Sequence, residues 1–282
     1  MTTYLVVAVG RVVISASTVV KVFFSEFKPM LAVLTLWQRE FVRFLRQRSR
    51  VVGVLGTPLI FWLLVGSGIG ASFRPRNVQE DTRGYLEYFF PGMLILIILF
   101  TSIFSAIAII NDRKDGFLQG VMVAPVSRSA IALGSILGGT SLALIQAMLV
   151  VMLAPLIQVP LSIGSVAALT GSLALVSFAL TSLSFVIAWH MESSQGFHAV
   201  MNLFLMPLWL LCGAVFPVSG SATWLSWLVK INPLSYGLDA VRRSLYLAGG
   251  DPGPIHSWTV SLGVTVAFAA TMFAVAVLSA RR

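Results

Sequence analysis

The chain has 282 residues, of which 57% are hydrophobic and 10% charged, where a soluble domain carries about 25% charged residues. That much apolar surface cannot be hidden from water, which excludes a water-soluble enzyme and a disordered chain. The net charge of +9 sits mostly at the ends of apolar runs, which argues for orientation in a bilayer and against nucleic-acid binding.

In chain order, residues 1–28 come first. Arg11 and Lys21 interrupt their apolar stretches, so the segment reads neither as a span nor as a secretory signal with an unbroken apolar middle. A loosely membrane-associated extension is expected, with Met30 as an alternative start of translation. From Leu31 to Arg50 a 100° wheel gathers Leu34, Trp37, Phe41, Phe44 and Leu45 on one face and Arg39, Arg43, Arg46 and Arg50 on the other. This is a basic amphipathic helix, expected to lie in the interface with its arginines near anionic headgroups. It runs almost directly into the first span and could act on it as a lever.

Five runs then lack Asp, Glu, Lys and Arg: Val51–Phe73, Tyr88–Asn111, Ser129–Met191, Ser193–Val229 and Pro252–Ala280. A spanning helix needs about 20 residues. The longest run is broken by Pro155, Gln158 and Pro160 into two spans. Six spans result, at roughly 51–72, 89–110, 130–154, 163–189, 197–218 and 257–280. The expected fold is therefore an all-α integral membrane protein, with a cytoplasmic N-terminal segment (1–50) and a six-span domain (51–282). Gly66 and Gly70, and Gly134 and Gly138, have the four-residue spacing that lets membrane helices approach closely.

Six spans leave both termini on one side. That side carries thirteen Lys and Arg against six on the other, which predicts cytoplasmic termini. The loop Asn111–Arg128 is then cytoplasmic. Its stretch 117–124 suits a short helix parallel to the membrane that exposes Phe117, Leu118 and Met122 to a soluble partner. On the outer side, Trp224, Trp227 and Leu228 give an aromatic-belt pattern, Asn232-Pro233 a turn, and Asp239 a partner for Arg242 or Arg243 at helical spacing. Two short helices dipping into the outer leaflet fit, forming a re-entrant hairpin before the last span.

Several apparent motifs carry little. Gly66-x-Gly68-x-x-Ala71 imitates a dinucleotide fingerprint but lies in a span with no preceding strand. Gly134-Ser-Ile-Leu-Gly-Gly-Thr140 imitates a phosphate loop without its Lys. His190, Glu192 and His198 lack the spacing of a zinc helix, and polar capping of a short turn is the expected role. No span has a carboxylate at its centre, where an ion- or proton-coupled carrier usually keeps one. Such a carrier is the alternative reading.

Three stretches together resemble a known family. They are the loop Asp112–Gly139, with Asp115-Gly-Phe-Leu-Gln-Gly-Val-Met-Val-Ala-Pro-Val-Ser-Arg128 followed by Ala132-Leu-Gly-Ser-Ile-Leu-Gly-Gly139, the stretch Met206-Pro-Leu-Trp-Leu-Leu-Cys-Gly-Ala-Val-Phe-Pro217, and Ile231-Asn-Pro-Leu-Ser-Tyr-Gly-Leu-Asp-Ala-Val-Arg242. Their order and spacing are similar to the permease subunits of type-2 ATP-binding-cassette exporters, the group of daunorubicin-type and nodulation-factor exporters. The resemblance covers residues 31–280. It implies a coupling helix after span 2, with Asp115, Gly116, Phe117, Leu118, Pro125, Val126, Ser127 and Arg128 matching the pattern. It also implies that 31–50 is an interfacial connecting helix and that Asn232–Arg242 belongs to the outer hairpin. Gln119 and Ser135 depart from the residues common at their positions, and 1–28 has no counterpart.

The function this implies is that of the membrane-spanning subunit of an ATP-driven exporter in the cell's inner (plasma) membrane, moving an amphipathic small molecule, lipid or glycan outward. The chain has no Walker A motif. No cofactor is expected in it, and it is not expected to be an enzyme. ATP and Mg belong to a separate cytosolic ATPase, and a second permease copy completes the pair.

Overall fold

The computed structural model describes residues 30–70, 84–123, 126–216, 222–249 and 256–281. The 1–28 extension and Pro125 lie outside them. The first helix, α1, covers residues 30–46. Gln47 alone separates it from α2 (Arg48–Gly70): the Gln47 N–H still donates to the Phe44 carbonyl at 3.1 Å, and the Val51 N–H to the Gln47 carbonyl at 3.2 Å. These two bonds link the end of α1 to the start of α2 across the elbow at Gln47.

Next come α3 (Tyr85–Lys114), α4 (Phe117–Val123) and α5 (Arg128–Val151). After a turn at Ala154–Ile157 follow α6 (Ile163–Trp189), α7 (Ser194–Trp209) with a π-helical end Leu210–Ala214, α8 (Thr223–Ile231), α9 (Pro233–Leu245) and α10 (Trp258–Arg281). Six of these helices are long and apolar enough to cross a membrane: α2, α3, α5, α6, α7 with its π-helical end, and α10. The turn between α5 and α6 falls at the two prolines, with Gln158 in the left-handed conformation at φ 62°. Ser162 and Ser165 then form a reciprocal capping box that starts α6.

The central pole is α3, which touches α2, α5, α6, α7 and α9 and is apolar on every side. A helix apolar all round belongs inside a bundle. With 30 residues it is about 45 Å long, against about 30 Å of hydrocarbon. Its last turn, carrying Asp112, Arg113 and Lys114, therefore stands clear of the apolar layer. There the chain reverses at Gly116, whose φ of +75° suits a residue without a side chain, and enters α4.

Small residues set the close packing. α1 lies on α5 where Gly134 and Gly138 remove side chains: a Cβ at Gly134 would come within 2.9 Å of the Leu36 Cβ, and one at Gly138 within 2.9 Å of the Glu40 Cβ. Of the other expected pair, Gly66 meets Leu86 of α3 in the same way; the side chain position of Gly70 lies outside the described residues. The buried face of α1 is Leu36, Glu40 and Phe44, while Leu34 and Leu45 are exposed. The expected apolar face of Leu34, Trp37, Phe41, Phe44 and Leu45 is thus rotated in the fold, with Phe44 alone of the five buried. The cause is tertiary: α1 buries the stripe that fits the α5 glycines, not the stripe with the most apolar residues.

Candidate functional site

Two polar clusters stand at opposite ends of the bundle. The first joins α1, α3 and α4. Arg39 grips Asp112 with both terminal nitrogens, Nη1 to Oδ2 at 2.6 Å and Nη2 to Oδ1 at 2.7 Å. Arg43 bonds the same two oxygens, with Nη1 to Oδ2 at 3.2 Å and Nη2 to Oδ1. Glu40, buried between the two arginines on α1, lies 3.8 Å from Arg39 Nη1 and 3.6 Å from Arg43 Nη1. Two cations thus share two carboxylates. The bond to Asp112 holds the Arg39 guanidinium above its ordinary range. The same guanidinium stacks 3.6 Å over the Phe117 ring, so one side chain of α1 touches both the end of α3 and the start of α4. Trp37, beside Phe41, donates its Nε1–H to Ser141 Oγ of α5 at 3.0 Å.

This differs from an interfacial helix with its arginines at headgroups. Arg39 and Arg43 turn inward because α3 carries a carboxylate past the apolar layer, and a fixed bidentate partner outcompetes a hydrated headgroup. Arg46 stays exposed, beside an open groove along α1 that Thr35, Gln38 and Val42 also line.

The α4 residues also divide differently from the sequence expectation. Leu118 is 5% exposed and packs with Leu36 and Ile131, flanked by Val121, Val126 and Trp189. It is the anchor of α4, not a presented group, because the i, i+3 spacing of Leu118 and Val121 turns both toward the bundle. The presented face is Gln119, Gly120 and Val123, with Asp115 and Phe117 at its edge; Val123 is 88% exposed. The side chain of Met122 lies outside the described residues. Ser127 caps α5, accepting from the Ala130 N–H at 3.3 Å. Arg128 donates to the Arg281 carbonyl of α10 at 3.1 Å. Arg113 donates to the Trp189 carbonyl at 2.7 Å, tying α3 to the end of α6. His190 holds the Val186 carbonyl through Nδ1 at 2.8 Å, and among the described residues no three potential ligands gather around a metal position.

The second cluster surrounds the π-helical end of α7. Gly213 stands at φ +85°, and its carbonyl, turned out of the helical ladder, accepts from Tyr88 Oη at 2.9 Å and from Arg242 Nη2 at 2.8 Å. Arg242 is buried and lies 4.6 Å over the Tyr88 ring. Tyr85 Oη donates to the Val215 carbonyl at 2.6 Å, and Trp209 Nε1 to the Gly92 carbonyl at 2.9 Å. Asn232 caps α9 through Leu234 N–H and donates to the Leu208 carbonyl at 2.6 Å, with Pro233 as the first helical residue.

Asp239 is fully buried, and its partner is His256, 2.9 Å away just before α10, not Arg242 or Arg243. Helical spacing permitted the local pair, but Arg242 is drawn across to Gly213, and Arg243 donates to the His256 carbonyl at 2.9 Å. On α8, Trp224, Trp227, Leu228 and Ile231 face outward, with Lys230 5.8 Å from the Trp227 ring. No sequence pattern pointed to Glu40, Tyr88 or His256. Asp112 showed only as the first of four charged residues at the end of an apolar run.

The chain matches the family described as ABC-2 type transporter over residues 32–246. It is 26% identical over 230 residues to a transport permease named ycf38 of Cyanophora paradoxa, covering 80% of this chain and 77% of that one. It is 25% identical over 174 residues to the multidrug ABC transporter permease YbhR of Escherichia coli strain K12, covering 61% of this chain and 47% of that one. It is 22% identical over 250 residues to nodulation protein J of Bradyrhizobium diazoefficiens, covering 84% and 90%. With the matched region taking in nearly all of α1, the helices through α9, and both clusters apart from His256, the chain belongs to the ABC-2 type transporter family, as a multi-pass membrane subunit that transports and is not itself an enzyme.

Proposed function

We propose that the chain is the permease of an exporter in the cell membrane, with both termini cytoplasmic. Two copies pair and are driven by a separate ATP-binding cassette subunit that carries ATP and Mg. The cargo is an amphipathic small molecule, lipid or glycan moved outward. In this reading α1 lies along the inner interface as part of an N-terminal segment ending at residue 50. Residues 51–282 form the transport domain, and α8 and α9 form the outer hairpin.

The observation that carries the proposal is the shared grip on Asp112. A push on the exposed face of α4 meets Phe117, which bears on Arg39 of α1. Arg39 and Arg43 fix α1 to the end of α3, and α1 continues through the Gln47 elbow into α2. Displacement of a seven-residue helix is thereby delivered to a spanning helix, which is the two-state tilt that a nucleotide-driven partner needs to bias. The Gln119, Gly120 and Val123 side of α4 faces the partner, while Leu118 and Val126 hold the element in place.

The test is co-purification from the native membrane with an ATP-hydrolysing subunit that carries a Walker A motif. The unaltered chain retains that subunit and Val123→Asp loses it. Retention by Val123→Asp, or transport by vesicles that hold this chain alone, overturns the proposal.

A further inference from the structure

Beside the Asp112 cluster, the Gln47 elbow and the inner half of α3 border an open cavity of about 450 Å³, within the size range of small-molecule sites. Its walls are sorted by depth. Phe104, Ile107 and Ala108 of α3 line the inner part, and the exposed Gln47, Asn111 and Asp115 line the mouth. From Phe104 to Asp115 the wall runs eleven residues along α3, about 16 Å.

Gly53 of α2 stands opposite, and a Cβ there would meet nothing within 4 Å; the space exists partly because that side chain is missing. Charge is sorted as well. Arg43 also reaches the cavity, but both its terminal nitrogens already bond Asp112. Asp115 takes part in no ion pair among the described residues. A slot apolar along Phe104, Ile107 and Ala108 and polar at its mouth, where an uncommitted carboxylate stands with two amides, has the chemistry for an aliphatic chain ending in an amine.

We infer that this cavity binds a single-chain cationic amphiphile, its amine at Asp115 and its chain between Gly53 and the Phe104–Ile107 wall. The inference rests on the export reading for its purpose, as the station where cargo is taken from the inner leaflet beside the lever that the partner moves. An anionic head is disfavoured there, because Asp115 repels it and Arg43, the one arginine among the described lining residues, is engaged.

Cys212 is the only cysteine and is fully buried, so a cysteine placed in the slot can be read alone. The full chain carrying Gly53→Cys, in lipid nanodiscs without any partner or nucleotide, is labelled with a water-soluble maleimide. Gly56→Cys, on the same helix and outside the slot, is the comparison. Dodecylamine at about ten times its half-saturating concentration is expected to slow labelling at 53 about ten-fold. Dodecyl sulfate leaves the rate unchanged, and Asp115→Asn in the Gly53→Cys background removes the protection. Equal slowing by both amphiphiles, equal slowing at 56, persistence of the protection in Asp115→Asn, no slowing, or a thiol at 53 that never labels each overturns the inference. Because no ATPase takes part in the assay, failure here leaves the coupling proposal to its own co-purification test.

Discussion

Leu36 occupies the space that a side chain at Gly134 would fill: a Cβ there would lie 2.9 Å from the Leu36 Cβ and 3.1 Å from the Val33 carbonyl oxygen. Backbone as well as side chain is in the way, so α1 cannot yield locally. Gly134→Val and Gly138→Val are expected to lift α1 from α5, each costing about 1–3 kcal/mol as overpacking. Gly171→Ala on α6, where a Cβ meets nothing, is expected to be neutral or to stabilise by up to about 1 kcal/mol through helix propensity. Thermal unfolding of the three variants in one detergent checks the contrast. Equal melting points would show that the α1–α5 seam is not closely packed.

Among the described residues, Asp112 is the one carboxylate bonded to two arginines of another helix. Asp112→Asn keeps the shape and removes the charge that both guanidiniums face, a loss of about 1–3 kcal/mol. The expected phenotype is uncoupling: the ATPase subunit stays bound and hydrolyses ATP, while transport in reconstituted vesicles falls. Arg39→Lys is expected to share the defect, since an ammonium cannot bond two oxygens and lie flat on Phe117 together. Normal transport per ATP in both variants would remove Asp112 from the transmission path.

The spans were legible because their signal is local. A run such as Tyr88–Asn111 has no alternative to a buried helix, and Pro155, Gln158 and Pro160 mark their own turn. The prospective close approaches at Gly66 and Gly134 were legible for the same reason. The clusters were not, because they join residues distant in sequence. Arg39 and Asp112 lie 73 positions apart, and from the wheel alone the arginines faced anionic headgroups. Leu118 looked like a presented group because a seven-residue helix shows its apolar side without saying what covers it. Asp239 had two arginines at helical spacing, and only the packing of α9 on α10 and α7 redirected all three. Local patterns place the helices, whereas the chemistry at their ends is decided by which helix ends become neighbours.

Leu118 and Val123, five residues apart on α4, should respond oppositely to truncation. Leu118→Ala removes the buried anchor and is expected to cost about 2–3 kcal/mol. Val123→Ala changes a residue that is 88% exposed and is expected to stay within about 0.5 kcal/mol. Affinity for the ATPase subunit should fall in both, by loosening α4 in the first and by losing contact surface in the second. Melting temperatures with binding measurements on the same preparations separate the two causes. A Val123→Ala protein that melts early and binds normally would place the partner surface elsewhere.

The Gly213 carbonyl holds the other end closed through Tyr88 and Arg242, and Cys212, fully buried next to it, is a native reporter of that closure. Arg242→Met removes a buried donor from the Gly213 carbonyl and is expected to cost about 1–3 kcal/mol. Tyr88→Phe leaves the carbonyl one donor and should cost only about 1 kcal/mol. Gly213→Ala forces a side chain onto a φ of +85°, at about 1–2 kcal/mol. A membrane-impermeant maleimide added from outside is expected to leave the unaltered chain and Tyr88→Phe unlabelled. Labelling of Cys212 should appear in Arg242→Met and, more slowly, in Gly213→Ala. If Arg242→Met lowers the melting point while Cys212 stays sealed, Arg242 serves only to hold α9 in place, and the π-helical end of α7 does not open through it.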